Sequence, residues 1–154
     1  MRYRTEILYQ QNWLESRSIH DFCYFYHCVK QDFKLDKYLV DLDYPLRQAL
    51  CKFRSRSNSL PVCNIRFAND SEKEIQSIYD LCRVNEVGDE YHYLFVCPFF
   101  DDERKIYLSA VPSNPDVFFI RDLFNPEDVK QLINLSKFVR LIMTIFEHSE
   151  DNNL

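Results

Sequence analysis

The stretch "NPEDVKQLINLSKFVRLIMTIFEH", Asn125 to His148, decides the fold class. Val129, Leu132, Ile133, Val139, Ile142, Met143 and Phe146 recur at the spacings of one apolar helix face. Lys130, Lys137 and Arg140 fall outside it. Asn125 has the side chain of an N-cap, Pro126 suits a first helical position, and Glu127 and Asp128 put negative charge in the first turn. The pattern predicts a long, buried C-terminal helix that serves as the spine of the domain.

Other segments repeat the helical period. "HDFCYFYHCVKQDF", His20 to Phe33, sets Phe22, Phe25, Tyr26, Val29 and Phe33 on one side. "YPLRQALCKFR", Tyr44 to Arg54, has Pro45 near a first turn and Leu46, Leu50 and Phe53 at helical spacing. Residues 3–15 carry Ile7, Leu8, Trp13 and Leu14 among polar positions. Ser55 to Asn69 reads as a loop or short turns, with Pro61 as a helix breaker. The expectation is an all-α fold: a small helical bundle, one domain over residues 1–154, with residues 1–12 and 149–154 as frayed ends.

Composition narrows the function classes. The 154 residues are 46% hydrophobic and 28% charged, a globular balance large enough for a core without disulfides. Gly88 is the single glycine, where an average chain this long holds roughly ten. Phosphate-binding Walker loops, dinucleotide fingerprints and nucleophile elbows each need more than one. Six cysteines, at 23, 28, 51, 63, 82 and 97, follow an N-terminus interrupted by Arg2, Arg4 and Glu6 before any apolar run. A reduced, intracellular protein, cytoplasmic or nuclear, is therefore expected. The charge-free run "YHYLFVCPFF" is too short to cross a bilayer, so no membrane role is expected. No motif points to a small-molecule substrate.

"LCRVNEVGDEYHYLFVC", Leu81 to Cys97, carries the chemistry. Gly88 and Asp89 read as a turn and an N-cap, followed by a short helix that stops at Pro98. His92 and Cys97 sit five apart on it, and Cys82 lies ten residues before His92, far enough for a turn to bring its thiol back. These are zinc-ligand types, but a closed zinc site takes four. Three positions before Cys82, where a Cys-x-x-Cys pair would begin, stands Tyr79, whose phenol, with a reference pKa of about 10, is a poor ligand. Asp80 or Cys63 are substitutes that no spacing requires.

The extended stretch "LCRVNEVGDEYHYLFVCPFFDDERKIYL" resembles the C-terminal tail of reverse transcriptases from invertebrate non-LTR retrotransposons. There the segment reads Cys-x-x-Cys, then a short acidic segment ending Asp-Glu-x-His, then four residues to Cys-Pro. Cys82 matches the second cysteine of the pair, Asp89, Glu90 and His92 the acidic-His signature, and Cys97-Pro98 its close, while Tyr79 departs from it. "LRQALCKFRSRSNSL", "NPDVFFIRDLF" and "LINLSKFV" are similar to flanking segments of that tail, so the likeness runs from about Trp13 to Phe146, with the Cys-His-Cys stretch its most specific part. The resemblance implies a non-enzymatic helical appendage that follows a polymerase and grips RNA or DNA. Its cofactor would be zinc on Cys82, His92 and Cys97. One ligand short, the site reads as a degenerate zinc-binding-like helical hairpin, a relic held by packing. The sulfurs and a ring nitrogen are then expected within about 4 Å of one another.

The net charge is −5, but Tyr44 to Ala68 holds Arg47, Lys52, Arg54, Arg56 and Arg66 and no acid. Arg47, Lys52, Arg54 and Arg56 are the candidate phosphate contacts, and a solvated helix face is the plainer reading of the same run. The sequence Phe99-Phe100-Asp101-Asp102 imitates a polymerase palm, but the proline before it and the helical "ERKIYL" after it mark a helix start. His20, Cys23 and His27 share a helical face, with Cys28 beside them. Core packing is the expectation there, against a small hydrolase using Cys23 and His27, which would need an orienting third group. The aromatic content, 16%, keeps a second function in view, a helical protein-interaction module with no nucleic-acid role.

Overall fold

The computed structural model describes residues 24–30, 32, 34–64, 82 and 87–151. Among these the regular elements are all helical. They are α1 (Tyr24–Val29), α2 (Tyr38–Asp41), α3 (Tyr44–Arg54), α4 (Pro61–Asn64), a π-helical turn (His92–Val96), a 3₁₀ turn (Pro98–Phe100), α5 (Asp101–Tyr107), α6 (Val117–Phe124) and α7 (Val129–Asp151). No helix among the described residues is long and apolar enough to cross a membrane. The helix expected over residues 3–15 lies outside the described residues, as do Phe22, Phe33, Arg66, Tyr79 and Asp80.

The spine is α7, 23 residues long. Leu132, Leu135, Phe138, Val139, Ile142, Met143 and Phe146 are buried on it. Leu135 and Phe138 thus belong to a stripe that the sequence pattern traced without them, while Val129 is 40% exposed. Ser136 interrupts the buried face, and its hydroxyl donates to the Leu132 carbonyl at 2.7 Å, so the core holds a satisfied polar group there. The N-cap is not Asn125. Asp128 takes that place, accepting from Lys130 N–H through its carboxylate at 2.9 Å. Asn125 instead ends α6, and its amide donates to the carbonyls of Arg121 (2.8 Å) and Val29 (2.9 Å), tying α6 to the end of α1. The helix reaches Asp151.

α3 packs along α7. Its start follows the sequence: Asp43 accepts from Leu46 N–H and Pro45 sits in the first turn, where it lacks no bond. Leu46, Ala49, Leu50 and Phe53 enter the core. Its end is a Schellman turn. Ser57 N–H reaches the Lys52 carbonyl (2.9 Å) and Arg56 N–H the Phe53 carbonyl (3.3 Å). Arg56 holds the left-handed position at φ 53°, usually a glycine's. Pro61 does not break structure but opens the one-turn helix α4.

Aromatic rings join the layers. Phe25 meets Phe53 and Phe124 edge-on at 5.8 and 5.4 Å, which closes α1 onto α3 and α6. Tyr93 reaches Phe146 at 4.7 Å and so seats the π turn on α7. Gly88 is required by proximity rather than by its backbone angles: an added Cβ would collide with the Tyr93 hydroxyl and crowd Pro61.

Leu135→Ala is expected to cost about 2–5 kcal/mol, the range for emptying a core leucine site. Val129→Ala should stay within about 0.5 kcal/mol, as for other surface changes. Urea denaturation of both variants checks the assignment of the stripe.

Candidate metal centre

Asp89 starts the site. Its carboxylate accepts from His92 N–H at 2.8 Å, the N-cap that the sequence indicated. The chain then winds wide. Cys97 N–H donates to the His92 carbonyl at 2.7 Å, an i to i+5 bond, and His92–Val96 form a single π turn. This winding matters for the ligands. On an α-helix, residues five apart point about 140° away from each other. A π turn brings them closer to the same side, and such turns often mark functional sites.

Pro98 does not end the structure but begins the 3₁₀ turn that leads into α5. It leaves a debt in hydrogen bonds, because it has no N–H for the Leu94 carbonyl four residues back. Arg104 supplies the donor. Its Nε reaches the Leu94 carbonyl at 2.7 Å and its Nη2 the Cys97 carbonyl at 2.9 Å. Asp101 pairs with the third guanidinium nitrogen. Arg104 is thus a positioning residue for the turn, within a segment that sequence reading took for a solvated helix start. Its neighbours fit that reading: Asp102 and Lys105 pair in the open at 3.1 Å. The available signal was Pro98 itself, which orphans a carbonyl beside a helix rich in long donors.

The three side chains converge. One ligand atom from each of Cys82, His92 and Cys97 lies within 4.8 Å of the others. Cys82 Sγ is 3.2 Å from His92 Nε2. Tetrahedral zinc would set such pairs about 3.6–3.8 Å apart. The thiol–imidazole pair therefore meets the expected limit of about 4 Å, and the set as a whole is slightly more open. Two thiols and an imidazole are a donor set that suits zinc, and small side-chain shifts would bring all three into its shell. His92 and Cys97 are buried and Cys82 is half-buried. Burial pushes the Cys97 thiol up to about 11, and its hydrogen bond to Cys82 adds to the rise. Without metal it is a neutral thiol at neutral pH, so an arriving cation must displace its proton. Tyr79 and Asp80, the nearest fourth-ligand positions, lie outside the described residues, and Cys63 donates instead to Asn58 Oδ1 at 3.1 Å.

The basic run does not form one surface. Arg54 is buried, 3.4 Å from Asp36 and with its guanidinium over the Tyr38 ring at 4.7 Å. Asp36 also takes Lys30 at 2.9 Å. Arg56 binds both oxygens of the buried Glu90 carboxylate at 3.0 and 3.1 Å. Arg47 donates to the Leu39 carbonyl at 2.9 Å. Lys52 is partly open and lies 4.0 Å from Glu147. Arg54 is thereby removed from any phosphate-facing surface, and Arg56 braces the segment just before His92. Of the other candidate cluster, His27 and Cys28 are half-buried, while His20 and Cys23 lie outside the described residues.

No family model, curated protein or solved structure matches the chain.

Burial raises the Glu90 carboxyl above its ordinary value, with the Arg56 charge pulling it down. Arg56→Ala removes that pull and leaves a buried carboxylate, at a cost of about 3–5 kcal/mol near neutral pH. The sign of the pH dependence follows. A carboxyl whose folded pKa exceeds its unfolded value favours folding at low pH, and this contribution fades as pH rises through the folded value. The variant should thus be less impaired at about pH 5 than at about pH 8, measured by urea midpoints against the unchanged chain. Arg104→Ala, which strips two buried carbonyls of their donor, should cost about 2–4 kcal/mol by the same measurement.

Proposed function

We propose that this chain is the nucleic-acid-binding helical appendage of a retrotransposon-type reverse transcriptase, with a zinc site reduced to three protein ligands. The observation that carries the reading is the convergence of Cys82, His92 and Cys97 at one π turn, in the order that the resemblance implies. A full structural zinc site supplies on the order of 10 kcal/mol to folding. Here Cys97 belongs to the apolar core and Cys82 packs against it, and most of that core comes from α3, α6 and α7, so in this reading packing holds the fold and metal adds to it. Zinc, when bound, would be held by the two thiolates and the imidazole, leaving a position for water or an outside donor. The chain has no catalytic role of its own in this reading.

A second reading, a protein-interaction module, draws on the exposure of Phe99 (50%), Ile106 (72%) and Phe118 (64%). Light scattering separates the two at low cost: a clean monomer at high concentration argues against self-docking through these side chains.

Metal counting on reduced protein tests the first reading. Zinc should bind weakly, at less than one equivalent, as a site one ligand short implies, and Cys82→Ala should lose it. Stripping with EDTA should leave the far-UV helical signal and the urea midpoint nearly unchanged. Collapse of the helical signal on chelation would show that metal, not packing, holds the fold, and no uptake at all would remove the zinc assignment. Filter binding with single-stranded RNA and DNA at two salt concentrations tests the activity. Retention at low salt that falls steeply with added salt is expected, and absence of retention at low salt rejects it.

A further inference from the structure

The cations of the sequence run turn inward or sideways, yet the solvent face of α7 has the right charge for the same ligand. Between Val129 and Thr144 its exposed polar side chains are Lys130, Gln131, Asn134, Lys137, Arg140 and Thr144, three cations and no carboxylate, in a chain of net charge −5. Lys137 and Arg140 have no carboxylate partner among the described residues.

Two adjoining grooves run beside this face. One, of about 300 Å³, lies between α3 and α7 and is lined by Gln48, Lys52 and Arg140 among others. The second, of about 390 Å³, lies toward α5 and is lined by Tyr107, Lys137 and Arg140 among others. Arg140 and Thr144 belong to both, so the two are continuous along the helix. One acid lines each groove: Glu147, 4.0 Å from Lys52, in the first and Asp43 in the second.

Resting on the reading above, we infer that the α3–α7 groove is the track for a single strand of nucleic acid, with Lys52, Lys137 and Arg140 on its phosphates. Three features favour this ligand. Lys52 and Arg140 line the first groove and Lys137 and Arg140 the second, so the cations are spread over both rather than gathered in one pocket. The amide of Gln48, in the lining of the first groove, offers hydrogen bonds to sugars or base edges. Tyr107, held by stacking on Phe138 at 6.2 Å, gives the second groove an aromatic wall of the kind on which bases stack.

Fluorescence anisotropy with labelled 20-nucleotide oligo(dT) and oligo(U) tests the inference on the full chain. Three phosphate contacts predict a slope of log affinity against log salt of about −2 for a single strand. Lys137→Ala/Arg140→Ala should lower affinity about tenfold or more at low salt and flatten the slope, with the helical signal preserved because both side chains are exposed. Lys105→Ala, on α5 and outside both grooves, should bind as the unchanged chain does. If the chain binds and the groove variant binds equally well, the track is elsewhere and the inference fails while the proposed function stands. If the unchanged chain binds neither oligonucleotide, both fail. Binding to vesicles containing phosphatidylserine, with none to either oligonucleotide, would assign the strip to a lipid surface and overturn both as well.

Discussion

The geometry of the candidate centre depends on one bond, from Cys97 N–H to the His92 carbonyl. Written as a regular helix, the same residues would aim the thiol and the imidazole apart. The extra residue in the turn aligns them, and everything nearby serves to keep that residue in place. Asp89 fixes the first N–H, Tyr93 fills the core against Phe146, and Arg104 satisfies the carbonyls of Leu94 and Cys97. Pro98 makes the arrangement self-consistent, because it removes the donor that a regular continuation of the helix would offer to Leu94. A π turn is rare because its bonds are strained and its carbonyls poorly paired. It persists where a buried guanidinium takes up the difference.

Much of this was legible in the residues, and the failures have physical causes. Asp43, Pro45 and the Leu46–Leu50–Phe53 spacing mark α3 to the residue, because cap, proline and apolar period agree. The N-terminus of α7 was misplaced because "NPED" offers two capping side chains three apart. Asn125 is claimed by the carbonyls of α1 and α6, a tertiary choice that no local pattern contains. Arg54 is a different failure. It stands four residues after Leu50 and eight after Leu46, so the helical period already put it on the inner face. A run of like charges reads as a surface, but the period decides which members of the run reach one. The cluster's ligands could be named from their types and order, while the winding that unites two of them could not, since periodicity arguments assume 3.6 residues per turn.

The inward arginines also show how the fold handles charge. Arg54 and Arg56 each sit at the end of α3, and each is held by a carboxylate from another segment, Asp36 and Glu90. Breaking either pair strands an ion in the interior, which costs more than the pair contributes. Such pairs act as registration devices. Arg56 occupies a left-handed position where glycine would be cheaper, and in return links the α3 Schellman turn to the residue two before His92. The backbone strain and the ion pair therefore belong to one feature.

α7 connects the candidate metal centre and the proposed nucleic-acid track through opposite faces. Its inner stripe includes Phe146, on which Tyr93 and hence the π turn rest, and its outer strip carries Lys137 and Arg140. The inner stripe is also packed by α3 and α6, which bring Leu50, Phe53 and Phe124 into the same core. A loss of metal affinity would then loosen the turn without unseating the helix. This ordering makes a phenol at position 79 tolerable. In a domain folded by its zinc, replacing one thiolate would remove the fold and the basic strip together. In this chain α7, which carries the strip, rests on leucine and phenylalanine contacts such as Leu132, Leu135, Phe138 and Phe146.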